Sequence, residues 1–149
     1  MNPTLLNLVL ADDDMDDCMF FKEALEELSH VTDLTTVHDG VALMRLLKDG
    51  AEPLPHAVYL DLNMPLKTGF ECLSEIKQSE KLKHLPVFIF STSFNPDVVK
   101  NLRERGATHY IRKPADFSDL KNVISKSLDL LTLSNPKSPA ENFVLNSKR

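Results

Sequence analysis

The amino-acid sequence predicts a doubly wound α/β domain of the (βα)5 type, in which five parallel strands alternate with five helices. Five short apolar runs of strand character alternate along the chain with five segments whose apolar residues recur at helical spacing. The strand candidates are apolar almost throughout, which is typical of a parallel sheet covered by helices on both faces. A chain of 149 residues is long enough to bury such a core and favours one domain.

The strand candidates are separated by intervals long enough for crossover helices, so the strands are expected to be parallel. They are Leu5–Ala11, Leu34–Val37, Ala57–Leu60, Val87–Phe90 and Thr108–Ile111. Each helical segment carries one apolar stripe that is expected to pack on the sheet. In chain order the stripes are Phe21, Ala24, Leu25 and Leu28; Leu43, Leu46 and Leu47; Phe70, Leu73 and Ile76; Val98, Val99 and Leu102; and Leu120, Val123, Ile124, Leu128 and Leu131.

Residues with capping preferences mark several helix ends. Asp14 or Asp16 is expected to cap the start of the first helix, and Asp39 the start of the second. Gly106 follows the stripe of the fourth helix, where a residue with positive φ commonly ends a helix. Because these residues mark helix ends, the polar residues that precede and follow each helix are expected to lie in the connecting loops.

The end of the chain differs in composition from the rest. Residues 1–133 are interpreted as one domain, whereas residues 134–149 hold two prolines and three serines with little periodicity. We expect residues 134–149 to form a flexible C-terminal tail that is too short for a second domain. The tail contains one apolar triplet, Phe143-Val144-Leu145, which could dock on a partner or on the domain itself.

The formal net charge of −5 arises from one segment, because residues 12–17 contain five carboxylates and the other acidic residues are as numerous as the 17 basic ones. No basic patch is available to neutralise phosphates, which argues against nucleic acid as a partner. No apolar run approaches the ~20 residues that span a membrane, and residues 1–5 lack signal-peptide features. We therefore expect a cytoplasmic protein without membrane association, in which Cys18 and Cys72 are reduced thiols.

Five polar residues follow predicted strands. Asp12 and Asp13 come after the first strand, Asp61 after the third, Ser91 after the fourth and Lys113 after the fifth. The carboxyl ends of parallel strands meet at one edge of a sheet, where ligand sites form. Crowded carboxylates need a cation to remain ionised, and oxygen-only ligands favour Mg²⁺. Together with a lysine and a hydroxyl that bind anion oxygens, these residues predict a phosphoryl-transfer site.

The segments around these residues resemble the receiver domains of two-component response regulators, in particular the single-domain type similar to the chemotaxis regulator. The matching segments are Leu8–Asp14, Tyr59–Pro65, Pro86–Thr92 and Tyr110–Pro114. They occur in the family's order on the expected strand ends, and the resemblance extends over nearly all of Leu5 to Leu131. The resemblance implies a flavodoxin-like fold with strand order 2-1-3-4-5.

The resemblance also implies a function in phosphorelay. Asp61 would accept a phosphoryl group from a sensor histidine kinase or a phosphotransfer protein, and the chain would be a phosphoprotein. Asp13, Asp61 and the backbone carbonyl of Asn63 would bind Mg²⁺, and Asp12 would assist through water. Such a domain catalyses its own Mg²⁺-dependent phosphorylation and dephosphorylation, yet it is a switch rather than an enzyme.

The remaining implied roles concern the phosphoryl oxygens and the output surface. Ser91 and Lys113 would hold the phosphoryl oxygens, and Tyr110 would change rotamer as Ser91 moves toward them. The family usually transmits its state through helix four, strand five and helix five. A homodimer through this face is therefore a possible output, and here the face comprises Val98–Arg105, Tyr110 and Asp116–Leu131.

One alternative belongs to a different class, a phosphatase resembling the haloacid dehalogenase superfamily. Its chemistry also uses an aspartate nucleophile, Mg²⁺, a hydroxyl and a lysine, and Asp12-Asp13-Asp14 supplies its Asp-x-Asp pattern. Against it, Asp16 stands where that family has a small hydroxyl or β-branched residue, and no cap insertion is present. The phosphorylated residue distinguishes the two hypotheses: Asp12 in the phosphatase and Asp61 in the receiver.

Two other hypotheses fit the sequence less well. An EF-hand calcium loop beginning at Asp12 is excluded, because Asp17 stands where the loop requires glycine for its sharp turn. Asp16 and Asp17 are interpreted instead as solvated charges that favour the start of a helix. A degenerate receiver that only binds partners would usually lose an acidic residue or the lysine, and this chain keeps both.

Overall fold

The computed structural model describes residues 5–50, 53–132 and 143–146. Its strands are β1 (Leu6–Ala11), β2 (Thr32–Val37), β3 (Ala57–Leu60), β4 (Val87–Ser91), β5 (His109–Arg112) and β6 (Val144–Leu145). Its helices are α1 (Met15–Glu26), α2 (Gly40–Asp49), α3 (Gly69–Gln78), α4 (Pro96–Glu104) and α5 (Phe117–Thr132). All paired strands are parallel, and they form one sheet in the order β2-β1-β3-β4-β5-β6. The predicted flavodoxin-like fold with strand order 2-1-3-4-5 is confirmed, with one strand added.

The helices cover both faces of the sheet, and each face has its own apolar core. On one face α2, α3 and α4 pack through residues such as Leu43, Leu73 and Leu102. On the other face α1 and α5 pack through residues such as Phe21 and Ile124. This two-layer burial explains why β3 and β4 are buried along their whole length. Within the described segments, no helix has the length and apolar character needed to cross a membrane.

Side-chain caps fix where α1, α2 and α3 begin, and thereby shape the loops at the carboxyl edge of the sheet. The Asp14 carboxylate accepts hydrogen bonds from the backbone N–H groups of Asp16 and Asp17, and Asp39 caps α2 in the same way. Thr68 caps α3 in a reciprocal capping box with Glu71. These caps satisfy N–H groups that have no partner inside the helix.

The C-terminal segment departs from the predicted flexible tail at residues 143–146. Val144 and Leu145 pair with β5, the Phe143 side chain is buried, and its carbonyl accepts a hydrogen bond of 3.0 Å from the Tyr110 N–H. The His109 ring stacks on Phe143 with ring centroids 6.3 Å apart. The physical reason is that β5 would otherwise be an edge strand with open hydrogen-bonding groups. Residues 134–142 and 147–149 lie outside the described residues.

Candidate functional site

The predicted site residues lie together at the carboxyl edge of the sheet because the backbone ladder continues past the strand ends. The Asp12 N–H donates to Val37 O at 3.0 Å, and the Asp61 N–H donates to Ala11 O at 2.9 Å. The Lys113 N–H donates to Ser91 O at 2.8 Å. The register of the sheet therefore fixes the backbone from which each functional side chain extends.

Three carboxylates form an acidic cluster in which one ligand oxygen each from Asp12, Asp13 and Asp61 lies within 4.8 Å of the others. Asp12 is fully buried and Asp61 is 6% exposed, whereas Asp13 is exposed to solvent. The buried Oδ2 of Asp12 lies 2.8 Å from the Lys113 ammonium. A cluster of three carboxylates that offers only oxygen ligands suits a hard divalent cation such as Mg²⁺.

The acceptor candidate Asp61 has unusual electrostatics. Its pKa is raised to about 6, chiefly by burial and in smaller part by the neighbouring Asp12 charge, while the Lys113 ammonium opposes both effects. The backbone N–H groups of Asn63 and Leu62 also bind the Asp61 carboxylate and lower its pKa. Burial likewise raises the pKa of Asp12. A cation bound at this cluster would favour the ionised, nucleophilic form of Asp61.

The connection between β3 and α3 folds closely against the acceptor. A side chain at Gly69 would place its Cβ 2.3 Å from the Asp61 carbonyl oxygen, so this position excludes any larger residue. Leu66 adopts a φ of 70°, which L-residues rarely do, and it is exposed. Asn63 is exposed directly beyond Asp61, and the role of its carbonyl as a metal ligand stays a prediction.

Lys113 lies over the acidic cluster and contacts three carboxylates. Its Nζ is 2.8 Å from Asp12 Oδ2, 2.8 Å from Asp17 Oδ2 and 3.9 Å from Asp61 Oδ1. Burial alone would lower the pKa of Lys113, but hydrogen bonds to Asp12 and Asp17 and the charges of Asp12 and Asp61 raise it above its ordinary value. Lys113 is therefore a permanent cation that can bind an anionic group placed on Asp61.

Asp17 is a site residue that the sequence interpretation missed. It was interpreted as a solvated helix charge, but its carboxylate accepts a hydrogen bond from Lys113 and is 33% exposed. The two residues are 96 positions apart in the chain and meet because α1 packs beside the loop after β5. No spacing pattern in the sequence could indicate this contact.

Ser91 ends β4 and is 1% exposed, and its Oγ accepts a hydrogen bond of 3.2 Å from the Ser93 N–H. Tyr110 lies on the neighbouring strand, is fully buried and donates its hydroxyl hydrogen to the carbonyl oxygen of Ser93. The exposed Phe94 ring packs edge-on against Tyr110 at a centroid distance of 6.0 Å. The Tyr110 side chain is thus inside in this structure, where the Ser93 carbonyl accepts its hydrogen bond, and its change of rotamer on phosphorylation stays a prediction.

Comparisons with known proteins agree with this geometry. Residues 8–125 match the family model of the response regulator receiver domain. The probable methanogenesis regulatory protein FilR2 of Methanothrix harundinacea is 33% identical over 122 residues, which is 80% of this chain and 79% of that protein. The response regulator Rcp1 of Synechocystis is 34% identical over 121 residues, covering 78% of this chain and 82% of that protein.

Solved structures give the same result. The phosphorylated cyanobacterial phytochrome response regulator RcpA superposes with a TM-score of 0.77 at 33% identity, covering 88% of this chain and 96% of that one. The Mn²⁺-bound form of Rcp1 superposes with a TM-score of 0.75 at 32% identity, covering 91% and 99%. None of these proteins is described as a phosphatase, and the haloacid dehalogenase alternative gains no support from them.

Proposed function

This chain belongs to the response regulator receiver domain family, a family of phosphorylation-dependent signalling switches, and from that premise we propose that Asp61 is its phosphoryl acceptor. The observation that carries the proposal is the convergence of Asp12, Asp13 and Asp61 with Lys113 at one edge of the sheet. Receiver domains interact with histidine kinases or phosphotransfer proteins in two-component systems. A phosphohistidine of such a protein is therefore the proposed donor.

The proposed metal ion is Mg²⁺, bound by the carboxylates of Asp13 and Asp61 and by the carbonyl of Asn63. Asp12 would hold the ion through a water molecule. Two observations support this: Asp12, Asp13 and Asp61 each offer a carboxylate oxygen within 4.8 Å of the others, and a solved form of the relative Rcp1 contains Mn²⁺. The ion would neutralise charge on the phosphoryl oxygens during transfer.

The protein groups then have separate roles in transfer. An ionised oxygen of Asp61 forms a bond to phosphorus as the bond between phosphorus and the donor imidazole nitrogen breaks, which yields an acyl phosphate. The Lys113 ammonium binds one phosphoryl oxygen through charge, and the Ser91 hydroxyl donates a hydrogen bond to another. We propose that the same groups support self-phosphorylation from small donors and the later hydrolysis.

The signal would pass from Ser91 to Tyr110 through the loop after β4. Ser93 connects the two residues, because its N–H binds Ser91 Oγ and its carbonyl oxygen accepts the Tyr110 hydroxyl hydrogen. A shift of Ser91 toward a phosphoryl oxygen would therefore disturb the bond that holds Tyr110. The face formed by α4, β5 and α5 would carry the change to a partner or to a second copy of the chain.

Phosphorylation by acetyl phosphate in the presence of Mg²⁺ tests the proposal. Intact-mass spectrometry should find one added phosphoryl group on the wild type and none on Asp61→Asn. The matched control is Asp14→Asn, which removes an exposed carboxylate from the same edge but keeps a residue able to cap α1. Full phosphorylation of Asp61→Asn would overturn the assignment of the acceptor.

A further inference from the structure

The hydrogen-bonding geometry of Lys113 is not symmetric among its three carboxylate neighbours. Asp17 Oδ2 accepts a hydrogen bond from Nζ at 2.8 Å. Asp12 Oδ2 lies at the same distance and forms an equally close ion pair with the ammonium. Asp61 Oδ1, at 3.9 Å, is beyond hydrogen-bonding distance. The ammonium is therefore held by Asp12 and Asp17 and not by the acceptor.

The carboxylates also differ in their freedom to release the ammonium. The Asp12 side chain is fully buried, so it has no solvent to replace a lost cation. The Asp17 side chain is 33% exposed, and water can solvate it when Lys113 leaves. Asp17 also lies in the first turn of α1, where the helix dipole stabilises a negative charge without a counter-ion. Of the two close partners, Asp17 is therefore the one that can lose its contact with Lys113 at a small cost in free energy, because water can replace the ammonium.

We propose that Asp17 is a positioning residue that holds the Lys113 ammonium on the α1 side of the pocket while Asp61 is unmodified, and releases it to the phosphoryl oxygens after transfer. This inference rests on the proposed function of Asp61 as the acceptor. Asp17 does not contact the reacting atoms in this mechanism. It acts through Lys113 and sets how readily the site accepts an anion.

The consequence is a competition that lowers the affinity of the pocket for a phosphoryl group. Each anion that binds Lys113 must first displace a charge-assisted hydrogen bond, and removing the Asp17 charge removes that cost. Because the pair is partly exposed, the effect is moderate. We expect Asp17→Asn to bind an anion at Asp61 about fivefold more tightly than a variant with the same charge change elsewhere on α1.

Beryllofluoride, which imitates a phosphoryl group on aspartate, is the probe, titrated calorimetrically in saturating Mg²⁺. Asp16→Asn is the matched control, because Asp16 is exposed and lies next to Asp17. It reports the general effect of removing one negative charge near the site. Asp17→Glu should return the affinity to within about twofold of the wild type, since it restores a carboxylate that can reach Lys113. Urea denaturation checks that all variants are folded.

A second readout separates positioning from a structural role. The NMR signal of the Lys113 Cε–H groups should move on beryllofluoride binding in the wild type. In Asp17→Asn without beryllofluoride it should already be displaced from its wild-type position. Equal dissociation constants for Asp17→Asn and Asp16→Asn, with the wild type binding normally, would overturn this inference alone. Failure of the wild type to bind beryllofluoride would overturn the proposed function and this inference with it.

Discussion

At the scale of single residues, the electrostatics of the acidic cluster dominate. Asp61 lies between a buried carboxylate that repels its negative charge and a lysine that attracts it, and burial outweighs the lysine. Its folded-state pKa of about 6 lies well above the ordinary value of 3.8. Since the metal-free protein keeps these carboxylates close together, the site costs folding stability that a bound cation would restore.

This cost should appear as a pH dependence of stability. Between pH 3.8 and about 6, Asp61 is protonated in the folded protein but ionised in the unfolded chain. The free energy of unfolding therefore falls as the pH rises through this range, so the contribution of Asp61 to stability is present at low pH and is lost above about pH 6. In metal-free buffer, the free energy of unfolding of Asp61→Asn minus that of the wild type should increase between pH 4 and 7, by up to about 3 kcal/mol. Urea denaturation at several pH values measures the difference, and parallel pH profiles would contradict it.

Residue identity at strand ends was sufficient to predict which side chains meet at this edge of the sheet. Asp12, Asp61 and Lys113 follow predicted strands, and parallel topology brings those ends together. Asp17 could not be predicted, because its contact with Lys113 depends on how α1 packs beside β5. The inward position of Tyr110 was also unpredictable, since it depends on the carbonyl orientation of Ser93.

At the scale of secondary-structure elements, the predicted strands and helices were confirmed because their apolar stripes and caps agree with the burial that the fold requires. Strand β6 was not predicted as a strand. It has two residues, too few to show a period, and its only sequence signal was the apolar triplet Phe143-Val144-Leu145. What makes it a strand is the open edge of β5, which is a property of the sheet rather than of the segment.

The attachment of β6 should contribute to stability but not to chemistry. Phe143 is 4% exposed and belongs to the core on the face covered by α2, α3 and α4, so Phe143→Ala should lower the free energy of unfolding by about 3 kcal/mol. Phosphorylation of Asp61 should be retained, because Phe143 contacts none of the site residues that hold the phosphoryl group. Phe20→Ala, at an exposed position on α1, is the control and should change stability little. A loss of stability no larger than that of Phe20→Ala, measured in urea, would show that β6 is not held by this side chain.

At the scale of the whole molecule, β6 limits how the output face can be used. Because β6 pairs with β5, a partner cannot extend the sheet at that edge, and a partner at the proposed α4–β5–α5 output face would bind its helices and loops. Exposed charges of both signs lie on this face, among them Arg103, Arg112 and Asp116. Such a surface can pair with a second copy across a two-fold axis.

We expect beryllofluoride with Mg²⁺ to increase the sedimentation coefficient by promoting a homodimer through this face. Tyr110→Ala should weaken that response while leaving phosphorylation intact, because Tyr110 connects Ser93 to the face without contacting Asp61. Analytical ultracentrifugation of both proteins, with and without beryllofluoride, measures the effect. Identical sedimentation of the wild type in both states would rule out the dimer as its output.

The central claim is that Asp61, among the carboxylates of the acidic cluster, forms the acyl phosphate. Borohydride reduces an acyl phosphate to an alcohol and so converts the phosphorylated aspartate to homoserine, which peptide sequencing by mass spectrometry locates. After phosphorylation with acetyl phosphate and Mg²⁺, homoserine is expected at position 61 and aspartate at positions 12 and 13. Homoserine at position 12, with aspartate retained at 61, would contradict the claim and support the phosphatase chemistry instead.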